Sequence, residues 1–499
     1  MAKWKYITTP IFYVNSSPHL GHLYSGILAD ACTRWYRQNS FNVLFTTGVD
    51  EHGQKIQTSA EKRGISPQHY CDFYASHFKE LFEISDVEFD CFYRTSSVEH
   101  YAAVAEFWKT LQKQGLIYME NHSGWYCQAE ERFVPASQLS EDLKTNSGYP
   151  VEWVSEKNYK FRLSSVKQDI KSWLETVALR NSTRAQCLQE LENTWDFSIS
   201  RSSSRVHWGI NVPGDDSQVV YVWLDALTNY LATAGYPHTN LQNSHIWKNT
   251  VHIIGKDIAR FHCIYWPGFL IGAELPLPKE IVVHDHWLVQ NAKMSKSLGN
   301  SVDPFKILQK FGCDNIRFYM LLHGPQDSDS SFCQKTLVKS VNSVLRDRIG
   351  NLVLRATSKK ILNNFNASEV PFAAAEEKFM LECEHLIHQV KAHYDKHEFS
   401  EGLRKLVCLI DTTNSFFQKT EPWKDPSSKS SSVFLTFEAC RIALQLLLPV
   451  TPMLSQSLLS YLNADPLSPL EFRKTNSLPI LVNHDNQDLV KLPKLNLTT

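Results

Sequence analysis

No C-x-x-C pair occurs anywhere in the 499 residues, and the 11 cysteines are odd in number and scattered. A disulfide framework or a thiolate zinc knuckle needs paired spacing, so neither is expected; reduced thiols of an intracellular compartment are. Long apolar runs are missing as well. A membrane-spanning helix needs roughly 20 apolar residues, and the longest candidate, Ala443 to Val450, ends at Thr451-Pro452. Neither sign of charge dominates: 51 Lys and Arg against 52 Asp and Glu leave a net charge of -1, so any nucleic-acid binding must come from a local patch. There is no internal repeat. The start Met1-Ala-Lys-Trp-Lys-Tyr6 leads straight into a strand-like run, with no signal peptide and no recognisable transit peptide. These exclusions leave an ordinary soluble globular chain, 43% hydrophobic, whose length predicts about three domains.

Tyr6 to Val14 is rich in β-branched and aromatic residues and reads as a strand, broken by Pro10. Beyond the Asn15-Ser16-Ser17-Pro18 turn, Leu20, Leu23, Ile27, Ala31 and Trp35 recur at helical spacing, so a helix begins at His19. Asn42 to Gly48 reads as a second buried strand, ending at Val49-Asp50-Glu51-His52-Gly53. This is a βαβ unit, whose ligands sit beyond the carboxyl ends of the strands, and both His19 to His22 and Asp50 to Gly53 fall at that edge. Residues 60–115 read as helical, with Phe73, Phe78, Leu81 and Phe82 as apolar positions. From Tyr118 to about Val220 the chain is turn-rich, around short strands and a helix near Ser165 to Leu179, and reads as an insertion. Tyr221-Val-Trp-Leu-Asp225, Val251 to Gly255 and Ile281 to His284 restore the buried-strand pattern. After Asp303, helices over Leu337 to Arg355, Glu376 to Tyr394, Ser400 to Lys419 and Ser432 to Leu448 predict an α-bundle, with Ser427 to Ser432 as a loop.

Two short stretches carry the chemistry. His19-Leu20-Gly21-His22 opens a helix whose N-terminal amides suit an anion, and Lys293-Met294-Ser295-Lys296-Ser297 offers ammonium groups and hydroxyls to a polyphosphate. Either alone is more often a cap or a solvated loop. In this order, on one βαβ framework, they suggest a split nucleotide site. At this point the chain resembles the class I aminoacyl-tRNA synthetases, whose two signature motifs these stretches match. The resemblance narrows to the methionyl-tRNA synthetase family through Pro10-Ile-Phe-Tyr13-Val-Asn15, Gly48 to Gly53, Tyr221 to Tyr230, and Gly255-Lys256-Asp257-Ile258 with His262. The stretch from Pro213 to Tyr230 is similar to the mitochondrial branch.

The family likeness implies an α/β fold: a Rossmann-like doubly wound parallel sheet with an inserted connective domain, followed by a C-terminal α-helical bundle. The chain then divides into residues 1–117 and 221–290 as halves of the catalytic domain, 118–220 as the insertion, 291–345 as the Lys/Ser loop and stem-contact region, 346–463 as the anticodon-binding domain and 464–499 as a tail. It also implies the reaction: methionine and ATP, with Mg2+ carried by the phosphates, form methionyl-adenylate and pyrophosphate, and methionyl passes to the terminal adenosine of tRNA(Met). A carboxylate is already a nucleophile at neutral pH, so the enzyme's task is to hold and neutralise charge. His19, His22, Lys293 and Lys296 are the expected catalytic groups, joined in ATP binding by Gly21, Asp257 and Ser295. Gly21 leaves room for adenine and ribose. Asp50 is expected to take the α-ammonium of methionine. Phe12, Tyr13, Trp223, Ala226, Leu227, Tyr230, Ile258 and His262 form the side-chain pocket, with Tyr13 or His262 donating a hydrogen bond to the thioether. Asn351 and Arg355, four apart on one helix face, and Trp423 match the anticodon-reading positions; unpaired bases are read by stacking and edge hydrogen bonds.

The chain departs from the family pattern in two places. Many members carry zinc knuckles, but Gly124-Trp125-Tyr126-Cys127 is followed by Glu130 where a second cysteine would stand, and no further cysteine precedes Cys187. No zinc is expected. Asp285, in Val283-His284-Asp285-His286-Trp287, stands where relatives often have glycine. The expected state is a monomer of the mitochondrial matrix, with a cytoplasmic location as the alternative, and no membrane partner. A leucine, isoleucine or valine synthetase would need a larger editing insertion. A non-catalytic tRNA-binding protein would not need both signatures, and a small nucleotidyltransferase would lack the bundle.

Overall fold

The computed structural model describes residues 3–128, 132–134, 136–145, 148–289, 292–293, 302–362, 372–426, 430–473, 482 and 492–497. The chain forms two compact units. One comprises Met1–Pro18, Phe41–Glu83 and Val87–His284, and the other His19–Ser40, Ile84–Asp86 and Asp285–Thr499.

The chain opens with β1 (Trp4–Tyr13), α1 (Leu20–Gln38), β2 (Asn42–Asp50), α2 (Gln54–Glu61), α3 (Pro67–Ile84), β3 (Cys91–Arg94) and α4 (Val98–Lys113). An insertion follows with β4 (Ile117–Cys127), β5 (Arg132–Val134), β6 (Glu152–Phe161), α5 (Lys167–Thr176), α6 (Asn181–Glu192), β7 (Phe197–Ser198), β8 (Ser200–Ser202), β9 (Asn211–Val212) and β10 (Asp215–Val220). Then come α7 (Val222–Thr233), β11 (Thr250–Gly255), α8 (Trp266–Gly272) and β12 (Glu280–His284).

In the first unit a five-stranded sheet has the order β12-β11-β1-β2-β3, with every neighbour parallel. Parallel strands are covered on both faces, and all six residues of β11 are buried. The strand order reverses between β1 and β11, the switch point at which such sheets open a crevice beyond their carboxyl ends. Tyr13 and Asp50 are register partners at that end. The register of β1 shifts between Thr8 and Ile11, where Pro10 has no N–H for the ladder. In the insertion, β4 and β6 form a long antiparallel pair within the sheet β5-β4-β6-β7.

Three local expectations are corrected. Tyr221 to Asp225 is not a strand: β10 stops at Val220, and α7 carries Val222 onward. Its residues Leu224 to Leu231 are all buried, so the run lacks the alternation or stripe that separates strand from helix. The 60–115 stretch contains the four-residue strand β3, too short to show a period. Phe73 is 52% exposed, while Phe78, Leu81 and Phe82 are fully buried.

The second unit adds β13 (Trp287–Val289), β14 (Ala292–Lys293), α9 (Pro304–Phe311), α10 (Cys313–Leu322), β15 (Ser330–Ser331), α11 (Gln334–Val341), α12 (Asn351–Ala356), α13 (Lys359–Leu362), α14 (Ala374–Asp395), α15 (Phe399–Thr420), α16 (Ser430–Leu447) and α17 (Pro452–Tyr461). A π-helical stretch, Asn342–Gly350, joins α11 to α12. Asp303 caps α9 by accepting from the Phe305 and Lys306 amides, with Pro304 at the first helical position. The fully buried Arg317 pairs with Asp30 of α1 and donates to the carbonyls of Ser85, Asp86, Pro449 and Val450. That one side chain joins the discontinuous segments of this unit. The expected loop at Ser427 to Ser432 is also corrected: Ser430 to Ser432 open α16 and are buried, and 427–429 lie outside the described residues. Ser431 and Ser432 donate to Glu376 Oε1 at 2.6 and 2.7 Å, which makes a serine-rich run a helix start. No helix among the described residues is long and apolar enough to cross a membrane.

Candidate active site

The predicted residues fall in both units. In the second, His19 is the N-cap of α1, and its Nδ1 accepts from the Gly21 amide at 3.1 Å. Its own amide donates to His22 Nδ1 at 3.2 Å, closing a reciprocal capping box. The rings stack with centroids 3.6 Å apart. Since both Nδ1 atoms accept, the ring proton of each neutral imidazole sits on Nε2, giving two N–H donors at a helix N-terminus whose first turn holds no acidic residue. A Cβ on Gly21 would lie 3.0 Å from His19 Cε1 and 3.1 Å from Nδ1, so the glycine makes room for the neighbouring ring.

Lys293 ends β14, paired with Leu288 of β13. Its side chain and Met294, Ser295, Lys296 and Ser297 lie outside the described residues, as does Glu130. Asp285 is buried, and its amide donates to the Pro325 carbonyl at 2.7 Å.

In the first unit, Asp50 is the buried last residue of β2. Its carbonyl accepts from Val14, and the His52 amide lies 3.5 Å from Asp50 Oδ1. Phe12 stacks on Phe78 and tilts against Phe82. The Lys55 ammonium lies over the Tyr13 ring. Trp223, on the first turn of α7, stacks on Phe261 with centroids 3.6 Å apart and planes at 5°, and its ring meets His262 edge-on. The π-helical turn Phe261–Tyr265 presents both partners. Trp223, Tyr230, Ile258 and His262 are thereby brought together, and Ala226 and Leu227 are buried on the same helix as Trp223.

The hydrogen bonds of His262 revise one expectation. Its Nδ1 lies 3.0 Å from the Ile258 carbonyl, which can only accept, so Nδ1 carries the proton. Burial pushes the ring pKa down to about 4, against the Ile258 carbonyl and Asp257, which favour the charged form. In the neutral ring Nε2 is therefore an acceptor, filled by the Tyr230 hydroxyl at 2.8 Å. In this arrangement His262 has no proton to offer a thioether and contributes a shaped, uncharged wall. Asp257 is exposed, and a Cβ on Gly255 would come within 2.7 Å of its Oδ1, so this glycine admits the carboxylate.

Composition and spacing did not reveal a buried polar cluster beside these residues. Asp225, fully buried on α7, accepts from His52 Nδ1 at 2.7 Å and from His100 Nε2 of α4 at 2.6 Å. The Tyr101 hydroxyl reaches His52 Nε2 at 3.2 Å. Burial pushes the Asp225 carboxyl up, but the two histidines outweigh it and hold it at about 2. Glu51, also fully buried, accepts from Arg94 and Ser96. Phe261 is a further missed contributor. Its aromatic character was visible, its stacking on Trp223 was not.

In the bundle, Arg355 donates to Gln418 Oε1 at 3.0 Å, with its guanidinium 5.0 Å from the Phe417 ring centroid and 5.9 Å from that of Trp423. Phe417 and Trp423 are themselves in contact. Residues 68 positions apart in sequence thus form one cationic and aromatic cluster, with its two rings tilted by 50°; the exposed Asn351 lies one helical turn before Arg355 on α12.

A parallel sheet with a switch point, an imidazole pair at a helix N-terminus and a helical bundle define a class. The model of the family described as tRNA synthetases class I (M) matches residues 5–147 and 137–357, and the chain belongs to that family. Its relatives give the particular member of the class. The probable mitochondrial methionine--tRNA ligase of Dictyostelium discoideum is 40% identical over 532 residues, covering 98% of this chain and 90% of that protein. The human mitochondrial methionine--tRNA ligase is 39% identical, covering 92% and 83%. Mycobacterium tuberculosis methionyl-tRNA synthetase in complex with methionyl-adenylate matches in structure with a TM-score of 0.87 and 33% identity, over 93% of this chain and 94% of that one. A second structure of that protein, bound by methionyl-adenylate, gives 0.89 at 32% identity, over 96% and 99%.

Proposed function

We propose that this protein is a methionine--tRNA ligase. The methionine carboxylate attacks the α-phosphorus of ATP and expels pyrophosphate; a hydroxyl of the terminal adenosine of tRNA(Met) then attacks the methionyl carbonyl and expels AMP. What supports the reading most is agreement in sequence and structure, over more than nine-tenths of the chain, with enzymes named for methionine.

The roles follow from the chemistry of each group. The Nε2–H groups of His19 and His22 serve as donors to the ATP phosphates, with Gly21 keeping the ring of His19 in place. Lys293, Ser295 and Lys296 meet the charge that grows on the departing pyrophosphate, and Mg2+ enters with ATP as part of that substrate. Asp257 joins them in holding ATP. Asp50, a carboxylate at a strand end, takes the α-ammonium. The thioether is enclosed by Phe12, Tyr13, Trp223, Ala226, Leu227, Tyr230, Ile258 and His262 and selected by shape and by aromatic contact at sulfur. Asn351, Arg355 and Trp423 read the anticodon by edge hydrogen bonds and stacking. The protein acts as a monomer in the mitochondrial matrix and without zinc, because the insertion offers a single thiolate, Cys127, before Cys187.

ATP-pyrophosphate exchange across methionine, leucine, isoleucine and valine, followed by charging of tRNA(Met), tests the reading. Exchange is expected with methionine alone. Exchange with another amino acid in preference, or none at all, overturns it, and stoichiometric zinc in the purified protein overturns the metal clause.

A further inference from the structure

A carboxylate withdrawn from water is tolerated only where hydrogen bonds and opposite charge replace its hydration. Asp225 is fully withdrawn, and both of its oxygens are used: Oδ2 by His52 Nδ1 at 2.7 Å and Oδ1 by His100 Nε2 at 2.6 Å. The three residues come from three separate pieces of the first unit. His52 follows β2, His100 lies in α4, and Asp225 lies in the first turn of α7. No reacting group of the proposed mechanism is among them.

Their neighbours give the cluster its meaning. His52 stands two residues beyond Asp50, and its backbone amide approaches Asp50 Oδ1 at 3.5 Å. Asp225 stands between Trp223 and Ala226, and its helix continues to Leu227 and Tyr230. One residue, His52, therefore addresses the Asp50 carboxylate through its backbone and the pocket helix through its ring. Tyr101 and Trp208 hold that ring edge-on, and the Tyr101 hydroxyl meets its other nitrogen. This bridge runs from the carboxylate assigned to the ammonium of an amino acid to the side chains assigned to its thioether.

We propose that Asp225, clamped by His52 and His100, is a positioning residue that sets the span between Asp50 and the α7 pocket, so that the enzyme measures the length of its amino acid. The inference rests on the methionine reading above. An apolar pocket distinguishes one methylene by only roughly 10- to 200-fold, and reaches the upper part of that range only if its walls cannot shift relative to the ammonium site. The clamp supplies that rigidity without touching substrate.

The test is steady-state ATP-pyrophosphate exchange with methionine and with ethionine, which is longer by one methylene. In Asp225→Asn the amide can accept from one histidine but turns an N–H toward the other, so one arm of the clamp opens. The expected result is a rise of about tenfold in KM for methionine, a KM for ATP within twofold of wild type, recovery of the rate at saturating methionine, and about a tenfold loss of discrimination against ethionine. His100→Gln, which removes one arm and keeps the carboxylate, should shift the same quantities by about threefold, and it decides the matter if Asp225→Asn does not fold. An unchanged KM for methionine with a lowered unfolding midpoint, or a lost rate that saturating methionine does not restore, would make the cluster merely structural and overturn the proposal. If wild-type protein shows no exchange with methionine, the proposed function itself has failed.

Discussion

At Gly21 stability and the proposed chemistry should part. This glycine lies within α1, where alanine is the better helix former by about 1 kcal/mol, yet a Cβ there would press on the ring of His19 at 3.0 Å. His19 is exposed and can turn aside, so Gly21→Ala should leave the unfolding midpoint unchanged or raised while slowing ATP-pyrophosphate exchange at least tenfold. Equal loss in both would place the glycine in folding alone. His262 gives a second single-residue expectation. Its folded pKa of about 4 lies below the ordinary 6.5 because burial disfavours the charged ring. Between those values the unfolded chain binds a proton that the folded chain refuses, so stability rises with pH across that window, by roughly 3 kcal/mol in all. Urea midpoints measured from pH 4.5 to 7 should show the slope, to which the fully buried His252, also held below the ordinary value by burial, adds in the same direction, and His262→Phe, though less stable at pH 7, should reduce it. The motif around these residues was legible in sequence, since it is short and contiguous. The tautomers were not, because a ring nitrogen's role depends on which carbonyl or hydroxyl the fold brings to it.

The start of α16 depends on a side chain from another helix. Ser431 and Ser432 both donate to Glu376 Oε1, and Oε2 of the same carboxylate accepts from the Ala373 amide and so caps α14. Glu376→Ala should therefore cost about 2 to 3 kcal/mol, since it strands two buried hydroxyls and an amide at once, and a urea unfolding curve measures it. A loss below 0.5 kcal/mol would mean that water replaces the carboxylate. A run of serines reads as a loop because serine offers its backbone alternatives to the helix. Glu376, 55 residues upstream of Ser431, overrides that tendency. The same kind of override made α7 a helix: Tyr-Val-Trp favours strands, but the unbroken buried run from Leu224 to Leu231 decides otherwise.

Across the whole molecule, the two half-reactions should be separable by mutation. Arg355 and Trp423 lie in the second unit, on α12 and just beyond α15, whereas Asp50 and the Trp223 group lie in the first and His19 and His22 stand at the start of α1. Trp423→Ala removes a stacking surface and one aromatic support of the Arg355 guanidinium, and base stacking is worth about 1 to 3 kcal/mol. The expected outcome is a loss of ten- to a hundredfold in kcat/KM for tRNA charging with exchange kinetics within twofold of wild type. Parallel loss of both activities would assign Trp423 to the bundle core. The units themselves are discontinuous in sequence, with 19–40 and 84–86 grouped with 285–499. Trp35 donates to Asp395 at 2.8 Å and Arg317 pairs with Asp30, contacts across hundreds of residues that no local pattern announces.

The sequence by itself determined four of the five parallel strands, β1, β2, β11 and β12, the helix that starts at His19 and the helical second half, and it displayed the two short motifs, His19 to His22 and Lys293 to Ser297, for which a phosphate role is proposed. All of these are contiguous patterns whose physics is local: apolar periodicity, turn residues and caps. Only the tertiary structure decided that Asp225 meets His52, 173 residues away, and His100, 125 away, that Trp223 lies flat on Phe261, and that His262 is an acceptor. A buried polar group must find a partner, but which partner it finds is set by where the chain has carried each residue, and that depends on the packing of the whole unit rather than on any neighbourhood in the sequence.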